Sequence, residues 1–99
     1  MAQDQQLVDV TAGTGWTQLT NADVGSGSVL TFQVREGMVE IHATTDATEP
    51  ATTEYGIVYQ TLQGERNVEI SAIVGLTGAD RLWARAFGKD GAKVYVDHA

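Results

Sequence analysis

The stretch RLWARAFGKDGAKVYVD, residues 81–97, decides the fold of this chain. Side chains along residues 81–87 alternate in character, and residues 93–97 alternate again in the same way. Between these runs lies Gly88-Lys89-Asp90-Gly91, whose residue types are typical of tight turns. Alternation with a period of two is the pattern of a β-strand with one buried and one exposed face. The stretch therefore predicts a β-hairpin that ends in a sheet.

Two registers of this hairpin are compatible with the sequence. A loop with an odd number of residues buries the small alanines and places Trp83 opposite Tyr95 on the outer face. In the same register Arg85 faces Lys93, and two like charges that face each other need a neutralising partner. A loop with an even number of residues buries Trp83 instead and turns the alanines outward.

Alternating runs recur upstream, and no window holds a period of 3.6 residues. The predicted strands cover residues 7–10, 16–19, 28–35, 38–44, 55–62, 67–74, 81–87 and 93–97, with clusters of turn-forming residues between them. About eight short strands in one small chain predict an all-β fold. The expected form is a small antiparallel β-sandwich, and a barrel is the competing architecture.

A second hairpin is predicted around Glu36-Gly37. The apolar residues of the preceding and following strands lie on one face only if the loop is even, which makes Val34 oppose Val39 and Phe32 oppose Ile41. Phe32 is then expected in the core.

Length and charge limit the possible functions. The chain has 99 residues and no cysteine, so we expect one domain over residues 13–99 without disulfides or thiolate metal sites. Thirteen acidic and six basic side chains give a net charge of −7, which disfavours nucleic-acid and membrane partners. The polar start lacks the features of a signal peptide, so synthesis in the cytoplasm is expected.

Residues 1–12 form either an N-terminal arm or an edge strand. Their apolar anchors are Leu7, Val8 and Val10. As an arm the segment would pair with the sheet edge of a neighbouring copy, and as an edge strand it would pair within its own chain. Both alternatives remain open from the sequence, and the three anchors are candidate interface residues.

Residues that could support catalysis or metal binding are few. His42 and His98 do not have the spacing of a metal pair, and His42 is expected on a solvated strand face. Asp46, Glu49 and Glu54 share one long loop without the spacing of a calcium-binding loop. We therefore expect a protein that is not an enzyme and that has no catalytic residue, metal site or cofactor.

The aromatic residues of the terminal hairpin suggest a contact surface instead. In the odd-loop register Trp83, Arg85, Lys93 and Tyr95 share one outer face, and aromatic and arginine side chains are enriched at the centres of protein interfaces. A protein partner is the favoured interpretation. Carbohydrate binding on the same platform is the alternative.

Several short segments also carry a resemblance to a known group of proteins. They are GWTQLT (15–20), LTFQV (30–34), VEI (39–41), GIVY (56–59), LWARA (82–86) and VYVDHA (94–99). Together they resemble small all-β virion proteins of tailed bacteriophages, whose order is a tryptophan-bearing first strand, a Phe/Val-Gln strand, a loop with Thr and Pro, and a late Trp-Ala-Arg strand.

The resemblance implies a capsid decoration or cement protein, in the form of a homotrimer that binds the major capsid protein on the exterior of the virion head. It supplies no catalytic motif that could be mapped onto this chain. A tail, baseplate or fibre module and a carbohydrate-binding module for host attachment are the alternative functions.

Overall fold

Two four-stranded antiparallel sheets pack face to face in a computed structural model of the chain, which confirms the predicted all-β sandwich. The structure describes residues 4–13, 15–20, 29–46, 48–51, 53–74, 76, 78–88 and 90–98. Over this part of the chain the sheets do not close into a barrel. The first residue of the predicted strand 28–35 lies outside the described residues.

The elements follow one another as eight strands and one short helix. They are β1 (Asp4–Val10), β2 (Thr17–Gln18), β3 (Val29–Glu36), β4 (Val39–Thr44), β5 (Ile57–Tyr59), β6 (Gly64–Glu69), α1 (Ile70–Val74), β7 (Arg81–Ala86) and β8 (Ala92–His98). Sheet A has the order β1-β8-β3-β6, and sheet B has the order β2-β7-β4-β5. Among the described strands, β4 and β5 are the only consecutive pair that hydrogen-bond to each other.

The predicted hairpin around Glu36-Gly37 is wrong, because β3 and β4 belong to different sheets. In sheet A, Val34 lies opposite Val94 of β8, whereas Val39 pairs with β5 and β7 in sheet B. Gly37 has a φ of +76°, which an L-residue rarely adopts, and it turns the chain out of sheet A. The apolar sets still meet in the core, but they meet across the sandwich.

The terminal hairpin is wrong for the same reason. Strand β7 pairs with β2 and β4 in sheet B, while β8 lies between β1 and β3 in sheet A. The opposed pairs Trp83–Tyr95 and Arg85–Lys93 therefore do not exist. The chain thus passes from one sheet to the other between Ala86 and Ala92.

The core lies between the two sheets and is made of the inward-facing residues of both. Phe32 is 1 % exposed and Ile41 is fully buried. The Phe32 ring meets the ring of Tyr59 edge to face, with the ring centroids 5.0 Å apart. Because β3 is in sheet A and β5 in sheet B, this aromatic contact joins the two layers.

The N-terminal segment is an edge strand of its own chain in this structure. Strand β1 pairs with β8 in an unbroken antiparallel register from Asp4–His98 to Val10–Ala92. Val10 is buried in the core, Val8 packs against the core, and Leu7 is 54 % exposed on the opposite face.

The predicted strand 67–74 is correct only over residues 67–69, and β6 begins earlier, at Gly64. Strand β6 ends at Glu69, and α1 follows as a single helical turn that contacts β4 and β6. Ile70 is fully buried and Ile73 packs against the core. Residues three positions apart lie on one side of a helix, so this turn buries both isoleucines. No helix among the described residues is long and apolar enough to cross a membrane.

Candidate functional site

The structure separates the candidate interface residues into three groups. Trp83 and Arg85 lie on the outer face of sheet B, because their neighbours Leu82 and Ala84 fill the core. Leu7, Lys93 and Tyr95 lie together on the outer face of sheet A. Val8 and Val10 face the interior. The expected single face with Trp83 beside Tyr95 is therefore wrong.

Arg85 organises the outer face of sheet B. Its Nη2 donates to Oε1 of Glu40 over 2.9 Å and to the carbonyl oxygen of Glu54 over 3.0 Å. The guanidinium carbon lies 4.3 Å from the centroid of the Trp16 ring, which is cation–π geometry. Glu40 also accepts a hydrogen bond from the backbone N–H of Gly56. One arginine thus fixes a strand, a loop and an aromatic ring.

The long loop after β4 covers this face. The indole Nε1 of Trp16 donates to the carbonyl oxygen of Ala51 over 3.2 Å, and the backbone N–H of Trp16 donates to Glu49 over 3.1 Å. As a result Trp16 is only 5 % exposed, although it lies outside the core. His42 lies beside it, with ring centroids 5.4 Å apart, and its Nδ1 contacts the carbonyl oxygen of Tyr55.

Trp83 is also buried within its own chain. It is 6 % exposed, and its indole Nε1 donates to the Thr44 hydroxyl over 2.8 Å. Its direct neighbours across the sheet are Gln18 and His42. The outward aromatic of sheet B is therefore already covered and hydrogen-bonded, so this face has internal packing where a contact surface was expected.

The outer face of sheet A has no such cover among the described residues. We call it the Tyr95 face, defined by Leu7, Gln33, Arg35, Lys93 and Tyr95. Tyr95 lies directly opposite Leu7 on one side and Gln33 on the other. Side chains directly opposite in adjacent strands point to the same face, so these three form one row across the sheet.

Two shallow depressions flank Tyr95. One, of about 380 Å³, is lined by Leu7, Arg35, Glu36, Lys93 and Tyr95. The other, of about 480 Å³, we call the Arg66 depression, and its wall includes Gln33, Arg35, Leu62, Gly64, Arg66 and Tyr95. Because Arg35 and Tyr95 line both depressions, the two form a continuous concave strip.

Gly64 makes the floor of the Arg66 depression possible. It lies opposite Gln33, and a side chain there would collide with the carbonyl oxygen of Phe32 and lie 2.8 Å from the Gln33 Cα. Only glycine permits this approach of β6 to β3.

Hydrogen bonds hold the wall of the Arg66 depression. The backbone N–H of Leu62 donates to the carbonyl oxygen of Val34 over 2.7 Å. The Gln33 amide donates to the Leu62 carbonyl over 3.1 Å, and the backbone N–H of Asn67 donates to the Thr31 hydroxyl over 3.1 Å. The wall is therefore formed before any ligand arrives.

Glu65 also lines the Arg66 depression. It is the register partner of the buried Phe32, so its carboxylate points to the inner side of sheet A, where the Tyr59 hydroxyl donates to it over 3.3 Å. Burial first and the Glu65 charge second raise the pKa of Tyr59 to about 12. Tyr59 thus keeps its proton and remains a donor at neutral pH.

The expected absence of a metal site stays a prediction. Among the described residues no group of three or more His, Asp and Glu side chains could hold an ion. In the acidic loop Asp46 accepts from the backbone N–H of Thr48, and Glu49 accepts from Trp16. The His98 side chain lies outside the described residues.

Sequence reasoning identified Leu7, Lys93 and Tyr95 but missed the other contributors to the strip. The outward position of Gln33 and Arg35 could be predicted from the sequence, since they alternate with the buried residues of β3. The position of Gly64 and Arg66 beside β3 could not be predicted, because it depends on a strand pairing that the sequence does not reveal. Comparisons of the chain with known protein families, curated proteins and solved structures gave no match.

Proposed function

We propose that this chain is a non-enzymatic structural protein of a tailed-bacteriophage virion that decorates the exterior of the head. The observation that supports a contact role is the Tyr95 face, an open strip in which Tyr95 and the 54 % exposed Leu7 lie beside charged and amide side chains. The assignment to a virion rests on the resemblance of the strand sequences to phage structural proteins.

The contrast between the two outer faces supports this choice of surface. Both faces carry aromatic residues, but on sheet B the loop after β4 holds Trp16, and Trp83 is 6 % exposed with its indole hydrogen-bonded to Thr44. On sheet A an aromatic and an aliphatic side chain lie side by side without such a loop among the described residues. An aromatic anchor with a polar rim is the usual composition of a protein-binding centre.

The proposed mechanism is mass action on the assembled shell. A protein that binds the junctions of neighbouring capsid subunits binds the closed lattice and not the separated subunits. Occupancy at a hundred times the dissociation constant then stabilises each site by about 2.7 kcal/mol. The major capsid protein is the proposed partner, and the protein itself binds as a homotrimer.

Decoration of isolated particles tests the proposal. Particles of the phage whose genome encodes this sequence are prepared without the protein, and purified protein is added back. We expect the wild type to bind the head in a density map and to raise the temperature of genome release. Tyr95→Ser is expected to lose binding without a change in melting temperature, because Tyr95 lies outside the core.

Tyr55→Ser is the matched control, since Tyr55 is 83 % exposed and lies beside sheet B. It should bind like the wild type. Density at the tail or baseplate would move the protein to another part of the virion. Absence from the particles, together with glycan-array binding that Tyr95→Ser removes, would replace the proposal by a carbohydrate-binding function.

A further inference from the structure

Strand β5 forms an open edge of sheet B. Among the described residues it pairs with β4 on one side only, so its other side presents unpaired backbone N–H and C=O groups. The edge of sheet A on the same side of the sandwich is β6, since the Tyr59 hydroxyl of β5 donates to the Glu65 carboxylate of β6 over 3.3 Å. An open edge is a template for a further strand.

The features that protect the other edges are missing at β5. Strand β6 carries Glu65, Arg66 and Glu69, and its register with β3 is interrupted. Strand β1 carries Asp9, and Trp16 beside β2 is hydrogen-bonded to the loop after β4. Charges, irregular pairing and covering loops block the addition of strands to a sheet. Strand β5 has no charged residue and pairs with β4 in an unbroken register.

Apolar side chains are exposed along this edge. Tyr55, Ile57, Val58 and Leu76 are each at least 40 % exposed. Three of them, Tyr55, Ile57 and Leu76, line one depression of about 370 Å³ that also reaches the buried Ile41. Exposed apolar side chains that lie together on a protein surface mark interaction sites. The β5 edge therefore offers both unpaired backbone groups and apolar contact area.

The charges around the β5 edge identify what can approach it. No charged residue occurs over positions 55–64 or 70–79, although the chain has a net charge of −7. Across the sheet from Val58, Glu40 is ion-paired with Arg85 over 2.9 Å. Glu54 and Glu65 lie four positions before and seven positions after Val58. Two copies of this acidic chain can therefore meet at β5 without like charges opposed at the centre of the contact.

We propose that the β5 edge pairs with the β5 edge of a second copy of this chain, antiparallel and about a two-fold axis. Ile57 and Tyr59 pair with inward-facing residues of β4, and Val58 pairs with an outward-facing one. Residues directly opposite each other share a face of the sheet. The one register that pairs all three residues of β5 then places Val58 opposite Val58 and Ile57 opposite Tyr59. Sheet B continues across both copies.

A second copy fits this edge because it brings the same uncharged, apolar strand with unpaired backbone groups at the same positions. The pairing is isologous, so each copy contributes the same surface. It is a two-fold contact, separate from the three-fold contact of the proposed homotrimer and from the Tyr95 face. The inference therefore goes beyond the proposed function and does not depend on it.

Cysteine cross-linking tests the register in the intact protein, which has no cysteine of its own. In the proposed pairing the two Val58 Cβ atoms lie about 4.5–5.5 Å apart, close to the separation in a disulfide. We expect Val58→Cys to form a covalent dimer under mild oxidation on a non-reducing gel. Val29→Cys is the control, since Val29 is 44 % exposed in sheet A. Equal cross-linking of the two variants would overturn the inference.

Light scattering tests the contact without a cross-link. We expect the wild type to form dimers, or hexamers where the three-fold contact also forms, and Val58→Lys to halve the mass. Val29→Lys should leave the mass unchanged, and melting curves check that both variants are folded. A wild type that stays monomeric or trimeric up to roughly 1 mM protein would overturn the inference.

If that wild type binds particles and Val58→Lys does not, the edge belongs to a strand of another protein, which also overturns the inference. Particle binding through the Tyr95 face is a separate measurement. If the covalent dimer forms but no particles are bound, the β5 contact stands and the proposed function fails.

Discussion

Replacing Arg85 by methionine is expected to destabilise the isolated domain by about 3 kcal/mol. Methionine keeps much of the aliphatic stem but removes the charge. The carboxylate of Glu40, a residue only 8 % exposed, then remains close to the sheet without its cation. Breaking a buried pair in this way costs about 3–5 kcal/mol.

The lower end of that range applies here. The Arg85 side chain is 18 % exposed, so water screens part of the interaction. The lost contact with the Trp16 ring adds about 0.5–1 kcal/mol. For a domain of this size, 3 kcal/mol lowers the melting temperature by roughly 12–24 °C.

Thermal and urea unfolding of two variants measure the effect. Glu40→Gln combined with Arg85→Met removes both charges and leaves an acceptor for the Gly56 N–H. We expect this double variant to recover about 1 kcal/mol relative to Arg85→Met, since no unpaired charge remains. Arg35→Met is the control on the other sheet and should change stability by less than about 0.5 kcal/mol.

A loss below about 1 kcal/mol in Arg85→Met, together with lost particle binding, would refute this reasoning. Arg85 would then act at an interface, as the alternation of residues 81–87 predicts, and the covering loop would have to leave sheet B in solution.

Four further predictions test other parts of the structure. Phe32→Ala should cost about 3–5 kcal/mol in urea unfolding because it empties a site that is 1 % exposed; a loss under about 1 kcal/mol would place Phe32 at the surface. Leu62→Gly should leave the melting temperature equal or higher, because Leu62 has a φ of +72° that glycine adopts without strain, and a lower melting temperature would contradict this. Deleting residues 1–12 removes seven pairings with β8, so the domain should unfold, and circular dichroism measures this. A folded product would mean that the domain does not need β1. The raised pKa of Tyr59, about 12 against 10 in the unfolded chain, means that the unfolded state loses its proton first, so stability should fall as pH rises from 10 to 12. Tyr59→Phe should flatten this slope, and an unchanged slope would exclude Tyr59 as its origin.

The approximate position of most strands could be predicted from the sequence, but the partner of each strand could not. Alternation in β3 and β4 correctly buries Phe32 and Ile41. It does so equally well whether the two strands lie side by side or face each other across the sandwich, because both arrangements need one apolar face per strand. The sequence pattern therefore carries no information that separates a hairpin from a crossing between sheets.

The error in residues 70–74 has a different cause. Ile70, Ala72 and Val74 alternate as a strand would, and Ile70 and Ile73 also have the spacing of one helical turn. A segment of five residues fits both periods, so neither excludes the other.

Only part of the candidate site could be predicted from the sequence, for the same physical reason. The pattern of β8 placed Tyr95 and Lys93 outward, and the structure agrees. In the odd-loop register the pattern of β7 also placed Trp83 outward, but a hydrogen bond to Thr44, 39 residues away in the chain, helps to bury that ring. Such long-range cover depends on the complete fold.

Strand β8 has a consequence for how the protein can be made. It lies between β1 and β3, so the N-terminal strand has no neighbour in sheet A until residues 92–98 have left the ribosome. Before that moment β1, synthesised first, is an unpaired strand that bears Val8 and Val10. The β1-β8-β3 part of sheet A must therefore form after synthesis has passed residue 98, through contacts between distant parts of the chain, which is a slow route. A nascent chain held short of that residue would expose the edges of β1 and β3 to other molecules, so sheet A depends on rapid closure by β8.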